Sequence, residues 1–541
     1  MGVTPSVATR RQGPLAGSPE QKESVNEQKC RGWGGGVVGD RRVGRVDERS
    51  RETRRGQTAF MATRPEEPPG GSQSVHSSEE AGQCPWSQGT QESGSGKSMT
   101  NDESKTQPAT VTRTNPSPQA GDIRDRWSWV EHSVWTDCML TRLEESEPTT
   151  KWFRLWDKVC AARNLQAAFW AVWRNDGAPG VDGQTVRQLD EQSEAELARL
   201  GEELRHKRYR RQPARRVWIP KPGTAEKRPL GIPAVRDRTV EAALRNVREP
   251  IFENEFAESS YGFRPGRGCR EAVGRVEELL SQGHVWCVDG DLKSYFDTIP
   301  HDRLIALIQQ RIVDGSVLAL IAQCLKAGVL EELKGWQPTE RGTPQGAVIS
   351  PMLANLYLNP LDHELERRGW ALVRYADDFV VLCRTKEEAE NVLNYLREWT
   401  TAAGLTLHPT KTRIVEATSE GFDFLGWHFR GGKKWPRKKS LQKLQDKLRP
   451  LTRRTNGRSL SELIAKVNPI LRGWHGYFRD RHSTDFGSLD GWLRRRLRAM
   501  LRKREKRPGY GLSQADSRKW PNRWFAAQGL WSLEHGSCAY G

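Results

Sequence analysis

From Lys151 to Arg174 the apolar residues Trp152, Leu155, Trp156, Val159, Leu165, Phe169, Val172 and Trp173 recur at near-helical spacing, which predicts an amphipathic helix. Gly177-Ala178-Pro179-Gly180 stops it. A second helical pattern, about 191–205, runs into Arg208, Arg210, Arg211, Arg215 and Arg216. From Val217 to about Phe429 short apolar runs alternate with helical patterns, so this block reads as mixed α and β. Farther on, Trp435, Leu441, Leu444, Leu448, Ile464, Val467, Trp474, Tyr477, Phe478, Trp492, Leu493 and Leu497 interleave with Lys and Arg, the pattern of folded helices with a basic exterior. Residues 1–124 show no such periodicity. Only Trp33, Phe60 and Trp86 are aromatic before position 121, and the stretch is rich in Gly, Ser, Pro, Gln and Arg. It has too little apolar surface to offset the entropy of ordering and reads as a disordered N-terminal extension.

The chain has 541 residues and a formal net charge of +18. Its length fits two to four folding units. A basic balance of that size points to a polyanion, either nucleic acid or an anionic membrane surface. The charge is localised: residues 433–510 hold 24 Lys+Arg against 6 Asp+Glu, a net +18, so the remainder sums to zero. A dense basic surface on folded helices favours nucleic acid. No apolar run approaches the roughly 18 residues of a membrane span; the best, Ala347 to Leu358, is broken by Ser350, Pro351 and Asn355. The N-terminus lacks the apolar core of a signal peptide. The nine cysteines include no CxxC pair, which argues against a zinc ribbon or a disulfide scaffold and fits a reducing, cytoplasmic setting.

Three acids stand out by position. Val285-Trp286-Cys287-Val288-Asp289-Gly290-Asp291-Leu292 is an apolar run ending in acids, a buried strand that carries a carboxylate to its end. In Ala371–Cys383 two apolar runs flank Asp377-Asp378, which predicts a β-hairpin with both acids at its tip. Carboxylates packed together repel one another and need neutralising. Mg²⁺, a hard cation that prefers oxygen ligands, is the natural counter-charge. Two such ions about 4 Å apart stabilise the attacking and leaving oxygens of nucleotidyl transfer.

Tyr375-Ala376-Asp377-Asp378 resembles the signature hairpin of reverse transcriptases, and Asp291 matches the other palm aspartate of that family. Further motifs follow in order: Arg228-Pro229-Leu230-Gly231-Ile232-Pro233, Tyr261-Gly262-Phe263-Arg264-Pro265-Gly266-Arg267, Gly342-Thr343-Pro344-Gln345-Gly346, Leu407-His408-Pro409-Thr410-Lys411-Thr412 and Phe424-Leu425-Gly426-Trp427. With the basic segment around Gly473-Trp474-His475-Gly476-Tyr477-Phe478, the set resembles group II intron-encoded reverse transcriptase/maturases over roughly residues 150–510.

That resemblance implies an α+β, right-hand polymerase. Fingers and palm would occupy 125–432 and an all-α basic thumb, the maturase "domain X", 433–510, with 511–541 a short tail carrying no endonuclease domain. It implies Asp291, Asp377 and Asp378 as catalytic ligands of two Mg²⁺ ions, with the Leu292 carbonyl a further ligand. Lys221 and Arg228 would grip the incoming triphosphate. Phe296 would sit under its sugar and exclude a 2′-hydroxyl, and Gln345 would touch nucleotide and template. Arg264 and Arg267 would meet template phosphates, and Lys411 the primer. Asp289 and Asp297 carry no assigned role. The basic face Arg494, Arg495, Arg496, Arg498, Arg502 and Lys503 would bind intron RNA, and Trp474 and Tyr477 would either stack on it or belong to the core. The implied partners are the group II intron RNA, an RNA template with a DNA primer, target DNA and dNTPs, with no membrane, in a prokaryotic cytoplasm. Without an endonuclease, no second-strand cleavage is expected, and the primer would come from elsewhere, such as a replication fork. Two rival readings are a non-catalytic RNA-binding splicing factor and a domesticated reverse transcriptase in defence. The intact Asp291, Asp377 and Asp378 set weighs against the first and the maturase-like thumb against the second.

Overall fold

A computed structural model describes residues 122–220, 227–482 and 486–538. The N-terminal extension up to residue 121 and Lys221 lie outside the described residues.

The predicted N-terminal helix forms in two pieces. Trp156–Val159 and Ala162–Asn175 are separated at Ala161, whose backbone is extended, and Asp176 ends the second piece in the left-handed region. The Ala162–Asn175 helix buries Leu165, Ala168, Phe169 and Val172, the i, i+3, i+4, i+7 face, and packs against the long helix Val235–Glu253. The second predicted helix spans Ser193–Arg205.

Eleven strands are described, in chain order β1 Ala214–Pro220, β2 Lys227–Ile232, β3 Trp286–Asp291, β4 Val329–Glu331, β5 Gly335–Gln337, β6 Ala371–Tyr375, β7 Asp378–Cys383, β8 Arg413–Glu416, β9 Phe422–Phe424, β10 Trp427–Arg430 and β11 Lys433–Pro436. They make three sheets: β2-β1-β4-β5, the central β6-β7-β3-β8, and β11-β10-β9. The central sheet is antiparallel throughout, with Trp286 opposite Cys383 and Asp291 opposite Asp378. Alternation splits its side chains between two cores. Val288, Leu372, Phe379, Val381 and Cys383 face the larger core, built with helices Ala162–Asn175, Val235–Glu253, Ser350–Arg367 and Lys386–Ala402. Cys287, Val373, Val380 and Leu382 face a second core shared with helix Cys269–Ser281, the β9–β11 sheet and the C-terminal helices. A sheet covered on both faces explains why its strands read as nearly continuous apolar runs.

The basic segment folds into helices Lys438–Leu451, Leu460–Phe478 and Phe486–Arg504. Ser459 and Glu462 close a capping box at the start of the second. The stretch after 510 is no loose appendage. Helices Gln514–Lys519 and Asn522–Ala527 follow, and Trp520, Phe525, Leu530 and Leu533 are buried in the second core. Among the described residues no helix is long and apolar enough to cross a membrane.

Candidate active site

Register brings the acids together. Pairing of β3 with β7 sets Asp291 opposite Asp378, and Asp377 occupies the β6–β7 turn. Between Asp289 and Asp291 only glycine fits, because a Cβ on Gly290 would stand 2.3 Å from the ring of Phe379. Ala376 makes the turn in the left-handed region at φ 60°.

A buried cation holds that turn from beneath. The guanidinium of Arg374, fully buried, donates from Nε to Asp362 Oδ1 at 2.8 Å and from Nη2 to Asp362 Oδ2. It also reaches Asn355 Oδ1 at 2.9 Å, Ser260 Oγ at 2.7 Å and the Ala376 carbonyl at 3.0 Å. Sequence reasoning missed Arg374, Asp362 and Asn355. The available signal was one charge inside an otherwise apolar strand, which demands a buried partner.

Cations ring the acids from outside. Lys411 Nζ lies 2.7 Å from Asp291 Oδ2, and Arg413 Nε 3.6 Å from Asp289 Oδ2. Loss of hydration pushes the Asp378 carboxyl up to about 7, aided by repulsion from Asp289 and Asp377 and opposed by Arg437. Burial likewise raises Asp377, with Asp291 adding to the shift and Arg228 and Lys411 opposing it. Asp289 is raised by burial to about 6. Among the described residues no three His, Cys, Asp or Glu side chains stand close enough together to hold a metal as they are. The donor set nevertheless fits a hard divalent cation. Its oxygens are carboxylate oxygens, and burial raises Asp377 and Asp378, so added positive charge there would be favourable.

The other predicted residues lie on neighbouring strands and loops. Phe296 is half-buried, edge-on to Tyr295 at 5.7 Å, and its carbonyl accepts from Thr343 N at 2.6 Å. The Gln345 carbonyl accepts from Gly231 N at 2.7 Å, which ties the 342–346 loop to β2 and so to exposed Arg228. Ser350 does not cap the following helix. Its hydroxyl donates to the Pro344 carbonyl at 2.9 Å, and Pro351 sits in the first turn. Leu292 is buried and bridged to Leu407. Arg267 is partly exposed, paired with Glu258 and placed over the Tyr261 ring.

Three expectations need correcting, and one alternative left open is decided. Arg264 does not face a template: it is buried, with Nε on Glu253 at 2.8 Å and Nη1 on the carbonyls of Ala257 and Ser260. In helix Phe486–Arg504 the i, i+4, i+8 stripe Arg494, Arg498 and Arg502 turns inward. Arg494 lies 3.8 Å from buried Asp490, Arg498 donates to the Trp520 carbonyl and Asn522, and Arg502 binds both oxygens of Asp516 at 2.7 Å. Arg496 is half-turned, bonded to Thr452 Oγ1 at 2.7 Å. Only Arg495 and Lys503 of the predicted six are exposed, because a helix shows one side to solvent. Finally, Trp474 and Tyr477 pack against the second core, Trp474 on Phe478 and Phe486 and the Tyr477 hydroxyl on the Leu425 carbonyl.

The order of parts along the chain has a counterpart in known families. The model of reverse transcriptase (RNA-dependent DNA polymerase) matches residues 219–429, enclosing the carboxylates, and the group II intron, maturase-specific domain matches residues 441–520. Protein YkfC of Escherichia coli K12 is 36% identical over 287 residues, 46% of this chain and 74% of that protein. This chain belongs to the group II intron reverse transcriptase/maturase family. Group II intron-encoded protein LtrA of Lactococcus lactis subsp. cremoris is 40% identical over 197 residues, 36% of this chain and 32% of LtrA. An uncharacterized 91 kDa protein in the cob intron of Schizosaccharomyces pombe is 28% identical over 388 residues, 56% of this chain and 47% of that one. The chain thus spans about a third and about half of those two relatives. The match to the maturase-specific domain runs past residue 510 to Trp520, into the segment that Arg498 and Arg502 clamp.

Proposed function

We propose that this chain is the RNA-directed DNA polymerase of a group II intron and that it also binds the intron RNA to assist its splicing and its mobility. The observation that carries the polymerase reading is the meeting of Asp291, Asp377 and Asp378 at one sheet end, on a hairpin locked by Arg374. In this reading the central sheet is the palm, β1 and β2 belong to the fingers, and the basic helices from Lys438 onward form the thumb and maturase domain. Two Mg²⁺ ions held by Asp291, Asp377 and Asp378, with the Leu292 carbonyl as a further ligand, would neutralise charge on the attacking and leaving oxygens. The protein's own part is positioning. Lys221 and Arg228 take the triphosphate of a dNTP, Phe296 lies under the sugar, and Gln345 contacts nucleotide and template. Arg267 meets template phosphates. Lys411 neutralises Asp291 in the metal-free chain and serves the primer end once the cations are bound. Arg495 and Lys503 offer the exposed charge of their helix to intron RNA, in a cytoplasmic setting with target DNA at hand.

The direct test is Asp377→Ala. It is expected to abolish primer extension on an RNA template while leaving RNA binding largely intact. A variant that extends at a rate comparable to the parent would overturn the metal assignment.

A further inference from the structure

One residue beside the carboxylate hairpin is both strained and exposed. Phe263 holds φ at 57°, a region that bulky side chains avoid, and half of its surface faces solvent. A large apolar ring left half in water on a strained backbone gains less from folding than a buried one, and such strain persists only where the surroundings enforce it.

The surroundings here are explicit. Ser260 and Arg374 form a β-bridge, and Tyr261 N donates to the Arg374 carbonyl at 2.9 Å. At Gly262 a Cβ would stand 2.5 Å from the Ala376 amide nitrogen, so the loop lies flush on the hairpin turn. Asn355 Nδ2 donates to the Gly262 carbonyl at 2.6 Å, and Arg264 pins the other side. Asn355 and Arg374 therefore hold the loop and the catalytic turn in one network. The ring of Phe263 ends 6.1 Å from that of Tyr375, the first residue of the Tyr-Ala-Asp-Asp hairpin. Tyr375 pairs with Asp378 across the hairpin, so the ring against which Phe263 rests neighbours one of the carboxylates.

We infer that Phe263, backed by Tyr375, is a positioning residue. Its ring is the apolar floor on which the minor-groove sugars of the template–primer duplex rest beside the reacting end. The inference rests on the polymerase reading above. An RNA–DNA hybrid of A-like form offers a wide, shallow minor groove of sugar faces, which a flat apolar ring recognises by shape without reading sequence. A polymerase that copies any template needs such a contact. Rigid docking of the loop onto the catalytic hairpin makes the distance from that floor to the carboxylates invariant.

Phe263→Gly separates this role from a structural one, because glycine accepts the positive φ without strain. The variant should melt at or above the parent's temperature, yet bind a primed RNA–DNA hybrid roughly ten-fold more weakly, about 1.4 kcal/mol. In primer extension the loss should fall on KM for the duplex more than on kcat, and Phe263→Tyr should restore both. A Phe263→Gly protein that binds and extends the hybrid as the parent does, or one that loses melting temperature with duplex affinity unchanged, overturns the inference. Failure of the parent itself to extend any primer would instead sink the polymerase reading, and duplex affinity would still test the ring.

Discussion

Arg374 shows how much a single buried charge organises. It neutralises Asp362 and orients Asn355, Ser260 and the Asp377 turn together. Arg374→Met leaves the Asp362 carboxylate buried without its cation and should cost about 3–5 kcal/mol in denaturant unfolding. The double variant Arg374→Met/Asp362→Leu should recover much of that stability but not primer extension, because the Ala376 carbonyl has lost its donor. Full recovery of extension would mean that the turn needs no such support. Asp237 makes a separate point about pH. It is buried, accepts from the Tyr209 hydroxyl at 2.6 Å and Gln212 N at 3.1 Å, and is raised by burial to about 6. The folded state therefore holds the proton more tightly than the unfolded one, and stability falls as pH rises from the ordinary carboxylate range through about 6. Asp237→Asn should remove that fall and raise stability above pH 7 by on the order of 2 kcal/mol. Melting curves across pH 5–8 decide it, and identical slopes for both proteins would contradict the assignment.

At the scale of elements, helix Phe486–Arg504 divides its cations by face. Arg498 and Arg502 hold the following segment through Trp520, Asn522 and Asp516, while Arg495 and Lys503 look outward. Substitutions on the two sides should separate cleanly. Neutralising Arg495 and Lys503 together should leave melting unchanged and lower the slope of log affinity for RNA against log salt by about 1.5, since each phosphate contact contributes roughly 0.7–0.9. Arg502→Gln should lower melting instead and loosen residues 514–538 toward protease, with little change in the salt slope. The opposite pattern would place the RNA on the other face. Sequence alone could state only that so many cations cannot all be buried on one helix. It could not say which ones were, because that depends on where Asp516 and Trp520 return in space.

At the scale of the whole molecule, the segment after residue 510 belongs to the second core. Ending the chain at Tyr510 would remove Trp520, Phe525, Leu530 and Leu533, each worth about 1.5–3 kcal/mol of burial, and leave Arg498 and Arg502 without their partners. Such a truncation should unfold the C-terminal helices, seen as lost helicity and lost RNA binding, while the central sheet survives. Retention of a native melting transition in that region would show the segment to be dispensable. The second core also spans the two matched families. It takes Cys287, Val373 and Val380 from the carboxylate-bearing sheet and Leu463, Val467 and Leu497 from the basic helices, so the two matched regions share packing.

What the sequence determined by itself was local or periodic. The strands β3, β6 and β7 were legible because a sheet buried on both faces demands unbroken apolar runs, and the acids were legible because they interrupt them. The concentration of positive charge and the order of the motifs needed no coordinates. Tertiary structure alone decided which charges are partnered. Arg264, Arg494, Arg498 and Arg502 read as surface cations, and the fold turned them inward, Arg498 and Arg502 toward a carbonyl and an acid of a later segment. It likewise made Trp474 and Tyr477 core residues and set Arg374 and Phe263 against the Asp377-Asp378 hairpin. The reason is common to all of them. Burial and pairing are properties of distance in space, and sequence spacing reports that distance only within a single helix or strand.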